Sequence, residues 1–313
     1  MAARAESAEP LPAATPVSLW RALDVIDDPW SWEIIKEAFL GTTRFQDFQE
    51  RLGIPRQTLV LRLNRLTDAA LFYKRPVQDY RLVYEYRLTP KGGDLYPVIL
   101  AIWQWHHTWY FDPSELPERL YHVPCGEVFD PKLVCLGCGE TPGPTTLSVR
   151  NTVGLGKVPA PSGRRARIAN ELGSKGEDRL AATVLGDGWS LMVLNAVMKG
   201  VGTYDALQAA LHISSNVLSA RLKTLVALEL MVQERSIRDR RVYYYSATNK
   251  GTGVFPIILT LTQWGDRWLA GRDGPPQLFA HAPCESIAGF RTVCGHCGQR
   301  VRPDDVRQEA LQR

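Results

Sequence analysis

The sequence predicts a mainly α-helical chain with small β-hairpins, an α+β architecture built as two similar units in tandem. Three observations lead there. The 313 residues are 45% hydrophobic and 22% charged, apolar enough to bury ordinary globular cores and long enough for two. The chain matches itself at one gapless offset, 159: Trp30-Ser31 falls on Trp189-Ser190, Arg62-Leu63 on Arg221-Leu222, Lys91-Gly92 on Lys250-Gly251, and Gln104-Trp105 on Gln263-Trp264. Within each unit, helical apolar spacing gives way to two β-type runs and then returns.

Internal agreement over about 120 residues identifies a duplication. The expected organisation is a disordered leader (1–16), a first helical domain (17–112), a small cysteine-bearing segment (113–140), a linker (141–175), a second helical domain (176–271), a second cysteine-bearing segment (272–301) and a tail (302–313). The linker opens with TPGPTTLSVRNTVGLGKVPAPSG, residues 141–163, rich in turn-forming residues. Those 23 residues could reach about 75–80 Å, ample for one unit to dock on the other. Gly154-Leu155-Gly156-Lys157 is no phosphate loop, because no Ser or Thr follows the lysine. The first residues lack the apolar region of a secretory signal. No stretch approaches the roughly 18 apolar residues of a spanning helix. A cytoplasmic protein is expected.

In chain order, Asp28-Pro29 reads as an N-cap with proline at the first helical position, and Asp187 takes the same place in the second unit. A helix is expected from Trp30 to about Leu40. Phe45, Phe48 and Leu52 then mark a short helix, Gly53-Ile54 a turn, and Leu59, Leu63 and Leu66 a second helix. The second unit repeats this with Tyr204, Leu207 and Leu211, a turn at His212-Ile213, and Leu218, Leu222 and Leu225, with Ser214 as N-cap. β-type runs follow at Leu71–Val77 and Val83–Leu88, and at Leu230–Ile237 and Val242–Ala247. Thr89-Pro90 and Thr248-Asn249 open a last helix.

Two short helices joined by a tight turn, followed by a basic hairpin and a closing helix, make a winged helix-turn-helix. The segments RALDVIDDPWSWEIIKEAFLG, FQDFQERLGIPRQTLVLRLNRL, YEYRLTPKG and LAIWQWHHTW resemble HxlR-type winged-helix transcriptional regulators of prokaryotes. LGDGWSLMVL, ISSNVLSARLKTL and LTQWGDRWL carry the likeness into the second unit. The resemblance covers about 90 residues in each half and implies a DNA-binding repressor that pairs through its terminal helices. Two departures stand out. The cysteine that several members carry ahead of the first helix is Val17 here and Gly176 in the second copy, which argues against thiol sensing there. The arginine that usually precedes the tryptophan is Pro29 and Gly188.

Charge supports a nucleic-acid partner. The chain carries +4 overall, yet Arg51–Lys91 holds nine Lys/Arg against three Asp/Glu, and Ala210–Lys250 seven against three. A recognition helix offers its N-terminal side chains to the major groove. With the leucines committed to the core, the exposed face is expected to be Arg56, Gln57, Thr58, Arg62 and Arg65. Arg56 and Gln57 suit base edges, and Arg62 and Arg65 suit phosphates. In the second unit the face is Ser214, Ser215, Asn216, Ser219, Arg221 and Lys223. Arg75 and Arg81, with Arg238, Arg240 and Arg241, are the wing residues expected at backbone or minor groove. The plainer alternative, a solvated basic surface, is weakened by recurrence in both copies. Because the two faces differ, an imperfectly palindromic operator is expected if both bind; the serine-rich second copy is the better candidate for a scaffold role.

All six cysteines fall in two triplets of identical spacing, each preceded by a histidine: His122, Cys125, Cys135 and Cys138, then His281, Cys284, Cys294 and Cys297. The pattern H-x2-C-x9-C-x2-C offers Cys3His ligation of a structural zinc with no open position, expected once per repeat. Disulfides would leave one cysteine of each triplet over, and free buried thiols would not explain the repeated spacing. His296 lies in the second knuckle, where the first copy has Gly137, and is left out.

Trp103, Trp105 and Trp109 crowd the last helix of the first unit, and Trp264 and Trp268 that of the second. Such a stripe reads as core or interface before it reads as a ligand cleft. Self-association through these helices is expected, as an intrachain pseudo-dimer, and nothing in the sequence supports a small-molecule effector. No nucleophile–base constellation occurs, and His106-His107 lacks an obvious carboxylate partner. A sequence-specific transcriptional regulator is therefore expected, with an interaction scaffold that has lost DNA contact as the alternative.

Overall fold

The computed structural model describes residues 17–308 apart from 27, 78–82, 111–118, 153–186, 238, 271–273, 276 and 288. The first unit contains helices α1 (Val17–Val25), α2 (Pro29–Phe39), α3 (Phe45–Leu52) and α4 (Arg56–Asp68). An antiparallel hairpin of β1 (Phe72–Val77) and β2 (Val83–Leu88) follows, then α5 (Pro90–Gly93) and α6 (Tyr96–Tyr110). In the second unit the corresponding helices are α7 (Gly188–Met198), α8 (Tyr204–Leu211) and α9 (Ser215–Ala227). The hairpin is β7 (Met231–Arg235) with β8 (Tyr243–Ala247), and α10 (Asn249–Thr252) and α11 (Phe255–Leu269) close the unit. Both halves have the winged helix-turn-helix order that the sequence predicts.

Local chemistry explains the boundaries. Asp28 caps α2 by accepting the Ser31 amide at 3.1 Å, and Asp187 caps α7 in the same way. The tight turn between the two short helices needs a left-handed residue. Gly53 supplies it at φ 58°, and in the second copy His212 takes it at φ 49°. Ser214 stands at the N-cap of α9 without a side-chain capping bond. The predicted closing helix is broken into α5 and α6 in the first unit, and into α10 and α11 in the second. Gly92 sits so close to the wing that a Cβ would lie 2.2 Å from the Leu71 carbonyl oxygen, and Gly251 repeats this at 2.0 Å from Leu230. These two glycines dock each short helix on the root of its wing.

The halves share one core. Phe48, Leu59, Leu63 and Leu66 belong to the same buried cluster as Leu207, Leu218, Leu222 and Leu225. The junction is reciprocal: Trp105 Nε1 donates to the Lys250 carbonyl at 3.0 Å, and Trp264 Nε1 to the Lys91 carbonyl at 2.9 Å. These are equivalent positions under the 159-residue offset. The tryptophan stripe therefore serves the contact between units, and Trp103 joins a smaller cluster with Tyr96, Leu120 and Phe129 of its own half and Cys294 and Val301 of the other. Helix α1, which the sequence pattern did not reveal, lies on α11 of the other unit. Ser18 donates to Asp266, and Gly265 admits the approach, because a Cβ there would be 2.3 Å from the Ser18 carbonyl oxygen.

Beyond the helices come short strands: β3 (Leu120–His122), β4 (Glu127–Val128), β5 (Pro131–Cys135), β6 (Leu147–Thr152), β9 (Gln277–His281), β10 (Phe290–Cys294) and β11 (Val306–Gln308). β4 pairs with β3 of its own half, and the other pairings cross between halves. β5 runs antiparallel to β10 with Leu133 opposite Thr292, its own equivalent. β6 pairs with β9, placing Leu147 opposite His281, and β11 pairs with β3, placing Val306 opposite His122. This revises the expected boundaries. The segment expected as linker from 141 contains β6, and the tail from 302 contains β11, so each repeat continues through a strand that joins the other half. The leader (1–16) and the rest of the linker (153–175) lie outside the described residues.

Candidate nucleic-acid interface and two shared metal clusters

Helix α4 follows the turn at Gly53 and presents Arg56, Gln57, Val60, Leu61, Asn64 and Arg65 to solvent. Its leucines 59, 63 and 66 face the core and are at most 1% exposed. Arg56 spreads over the Phe45 ring, 5.2 Å from its centroid, which holds the guanidinium at the head of the helix. Thr58 is half-buried. Arg65 is exposed and reaches the Asp24 carbonyl at 3.4 Å. On the wing, Arg75 and Lys74 are exposed, and Lys74 Nζ lies 3.3 Å from Asn64 Oδ1. Lys74 and Asn64 extend the basic face and were not singled out from the sequence. Arg81 lies outside the described residues.

Arg62 is a correction. Its guanidinium does not join the exposed face but turns under it to Asp28, Nε to Oδ1 3.0 Å, with side chains 15% and 0% exposed. Arg221 does the same with Asp187 at 2.5 Å. The carboxylate that caps α2, and its counterpart at α7, thus ties that helix to the recognition helix of its unit. A cap carboxylate already in the core needs a cation, and an arginine nearly two turns along the recognition helix supplies it. The signal was present in the sequence: Asp28 and Arg62 recur as Asp187 and Arg221, whereas Arg56 and Gln57 become Ser215 and Asn216.

On α9, Ser214, Ser215, Asn216, Ser219 and Lys223 are exposed. Two of the serines are engaged locally: the Tyr204 hydroxyl lies 2.7 Å from Ser215 Oγ and 3.1 Å from Ser219 Oγ. Tyr204 occupies the place of Phe45, so an aromatic under an arginine in one unit becomes a phenol binding hydroxyls in the other. Arg240 is exposed on the wing, but Arg241 is held by Asp239 through two contacts of 3.0 and 3.1 Å, which keeps the Asp239 carboxyl below the usual range. Arg238 lies outside the described residues.

The eight expected metal ligands form two clusters, and here the structure changes the pairing. His122 and Cys125 of the first repeat meet Cys294 and Cys297 of the second, while Cys135 and Cys138 meet His281 and Cys284. Each cluster is assembled from both halves, not one from each repeat. The crossing of β5 with β10 causes it, because those strands carry one Cys-x2-Cys knuckle past the other unit's histidine. His122 Nδ1 lies 3.3 Å from both Cys125 Sγ and Cys297 Sγ, and Cys125 Sγ is 4.0 Å from Cys294 Sγ. In the other cluster Cys138 Sγ is 3.3 Å from His281 Nδ1, and Cys135 Sγ 3.8 Å from Cys284 Sγ.

A tetrahedron with Zn–S bonds of about 2.3 Å has edges near 3.8 Å, so these separations and the Cys3His donor set fit zinc. Amides of Gly137 and Cys297 point at Cys135 and Cys294 sulfurs at 3.4 and 3.5 Å, as knuckle turns do. Ser286, through its hydroxyl and amide, pulls the Cys284 thiol down to about 6, toward the thiolate that a metal takes. Both histidines are fully buried.

The model of the HxlR-like helix-turn-helix matches residues 25–113 and 184–273. An uncharacterized HTH-type transcriptional regulator of Mycobacterium tuberculosis (strain ATCC 25618 / H37Rv) is 41% identical over 123 residues, 39% of this chain and 78% of that protein. One of Bacillus subtilis (strain 168) is 32% identical over 91 residues, 28% of this chain and 83% of that protein. A crystal structure of a proposed transcription factor is 38% identical, covers 39% of this chain and 84% of its own, and has a TM-score of 0.35. No helix among the described residues is long and apolar enough to cross a membrane. Matched twice, over more than half its length, this chain belongs to the HxlR-like helix-turn-helix family of transcriptional regulators.

Proposed function

We propose that the protein is a repressor that acts from the cytoplasm as an intrachain pseudo-dimer, laying both winged helices on one imperfectly palindromic operator. The observation that carries this reading is the reciprocal junction, in which equivalent tryptophans of α6 and α11 bond to equivalent carbonyls of the opposite half. Two helix-turn-helix units held so are presented to DNA as a pair. Arg56 and Gln57 read base edges in one half-site, and Asn216, with Ser214 and Ser215, reads the other. Arg65, Arg75, Lys223 and Arg240 meet phosphates. Covalent linkage replaces concentration-dependent pairing with a high effective concentration. The reading needs no catalysis, and its site residues are chosen for contact.

His122, Cys125, Cys294 and Cys297 would hold one zinc ion, and Cys135, Cys138, His281 and Cys284 a second. With four protein ligands each, such ions supply cross-linking between the halves and leave no place for a reacting water.

The test is selection of duplexes from a random pool by the intact protein, then footprinting and titration at several salt concentrations. One footprint with two unlike protected segments is expected, with affinity falling steeply as salt rises through counterion release. An absent or salt-insensitive interaction would favour the scaffold alternative, in which the winged helices hold proteins instead of DNA.

A further inference from the structure

A cleft of about 720 Å3 opens where the two halves meet the cysteine-bearing strands, within the usual size for a small-molecule site. Its floor is α11, with Gln263, Trp264 and Arg267. Asp94 and Tyr96 enter from the first unit, and Phe279 and Phe290 of β9 and β10 form the far wall. Trp264, Tyr96 and Phe290 are each at most 8% exposed, so their rings are fixed in the wall and only their edges face the cleft.

The rim is cationic. Arg291, Arg300 and Arg302 line it with their side chains exposed. Arg267 is already occupied, donating to Asp94 at 3.0 Å, and Asp94 also accepts the Trp268 indole at 2.9 Å. Asp266 is tied to Ser18. The acids of the cleft are therefore engaged within the protein, whereas none of the three rim arginines has an ion-pair partner among the described residues. Aromatic walls below guanidinium groups suit a flat ring bearing a carboxylate, because the ring fills the apolar depth and the anion stays at the fork-shaped donors.

The second copy of the cleft would lack this chemistry. Under the 159-residue offset, Asp94 corresponds to Gly253, Arg267 to Thr108, Arg300 to Thr141 and Arg302 to Gly143; only Arg291 keeps a cation, as Lys132. The duplication thus leaves the charge on one side only.

We propose that this cleft binds one small aromatic carboxylate per chain, between the aromatic walls and the arginines 291, 300 and 302. The inference does not depend on DNA binding, and its test contains no DNA. The intact, metal-loaded protein is titrated by calorimetry with 2-naphthoate and, separately, with the neutral 2-naphthamide. Saturable binding of 2-naphthoate at one per chain is expected, with the amide at least about tenfold weaker, the worth of a charge-assisted contact. Arg300→Gln combined with Arg302→Gln, both on exposed positions, should weaken 2-naphthoate at least about fivefold while leaving the melting temperature unchanged. Lys132→Gln, at the equivalent place on the other side, should have no effect. Two sites per chain, equal affinity for acid and amide, no saturation below millimolar, or an unaltered affinity in the double variant would each overturn the proposal.

Discussion

The two recognition helices sit on the same scaffold and offer different faces. Beneath each, an aspartate caps one helix and an arginine of the recognition helix closes on it, Asp28 with Arg62 and Asp187 with Arg221. Above, Arg56 over Phe45 is replaced by Ser215 and Ser219 on Tyr204. Residues that hold the fold are kept between copies, because removing either partner would strand a buried charge, whereas exposed residues are free to diverge. In a duplicated protein, recurrence therefore marks scaffold and divergence marks the reading surface.

The Cys/His clusters test the limit of this comparison, since neither belongs to one copy. Cys125→Ser and Cys294→Ser should each remove the same zinc, so the double variant should bind as much as either single one. Cys125→Ser with Cys135→Ser should lose both ions. Elemental analysis per chain distinguishes this from one site per repeat, where the outcomes would exchange. Because structural zinc is worth about 10 kcal/mol or more in small domains, these variants should show the largest stability losses by thermal unfolding.

Next in size is the buried pair. Arg62→Ala leaves Asp28, which is fully buried, without its cation and should cost about 3–5 kcal/mol in denaturant unfolding. Arg221→Ala should cost less, because Asp187 is 12% exposed and water can reach it. Equal losses would break the argument from burial. Arg56→Ala with Gln57→Ala should weaken operator binding by about 1–3 kcal/mol for each base edge no longer read. Ser215→Ala with Asn216→Ala should weaken it less, since the Ser215 hydroxyl is already bound to Tyr204. A larger effect in the second copy would reverse the assignment of the stronger half-site.

The smallest effect is a pH dependence at the junction of α1 and α11. Burial pushes the Asp266 carboxyl from 3.8 up to about 6, with the Ser18 hydroxyl pulling the other way. The folded protein then binds this proton more tightly than the unfolded chain. Its contribution to stability is present below about pH 4 and is lost as pH rises through about 6. Asp266→Asn should raise the melting temperature by a few degrees at pH 7.5 and leave it unchanged at pH 4. A gain at both pH values would place the effect in packing instead of titration.

Much of this was legible in the sequence. Leu59, Leu63 and Leu66 announced the recognition helix by spacing alone, and the repeated H-x2-C and C-x2-C pairs named all eight residues of the two Cys/His clusters. What spacing could not tell was which pairs meet. Two copies with identical patterns satisfy the same arithmetic within a repeat or across them, and only the antiparallel meeting of β5 with β10 decides. Arg62 was misplaced for a related reason: periodicity puts it beside exposed residues, and nothing local shows that Asp28 waits beneath. Strands β6 and β11 were hidden because their residues, Leu147-Ser148-Val149 and Val306-Arg307-Gln308, share no identity at the offset.

Self-complementary pairing about Leu133 and Thr292 has a consequence for the history of the chain. In this arrangement each copy holds half of each cluster, so a single-copy forebear folded the same way would close its clusters only by pairing with its twin. Joining the genes would have removed the search for that twin without altering the handshake. Thereafter each side could mutate its outward surface independently, a freedom that identical subunits never have.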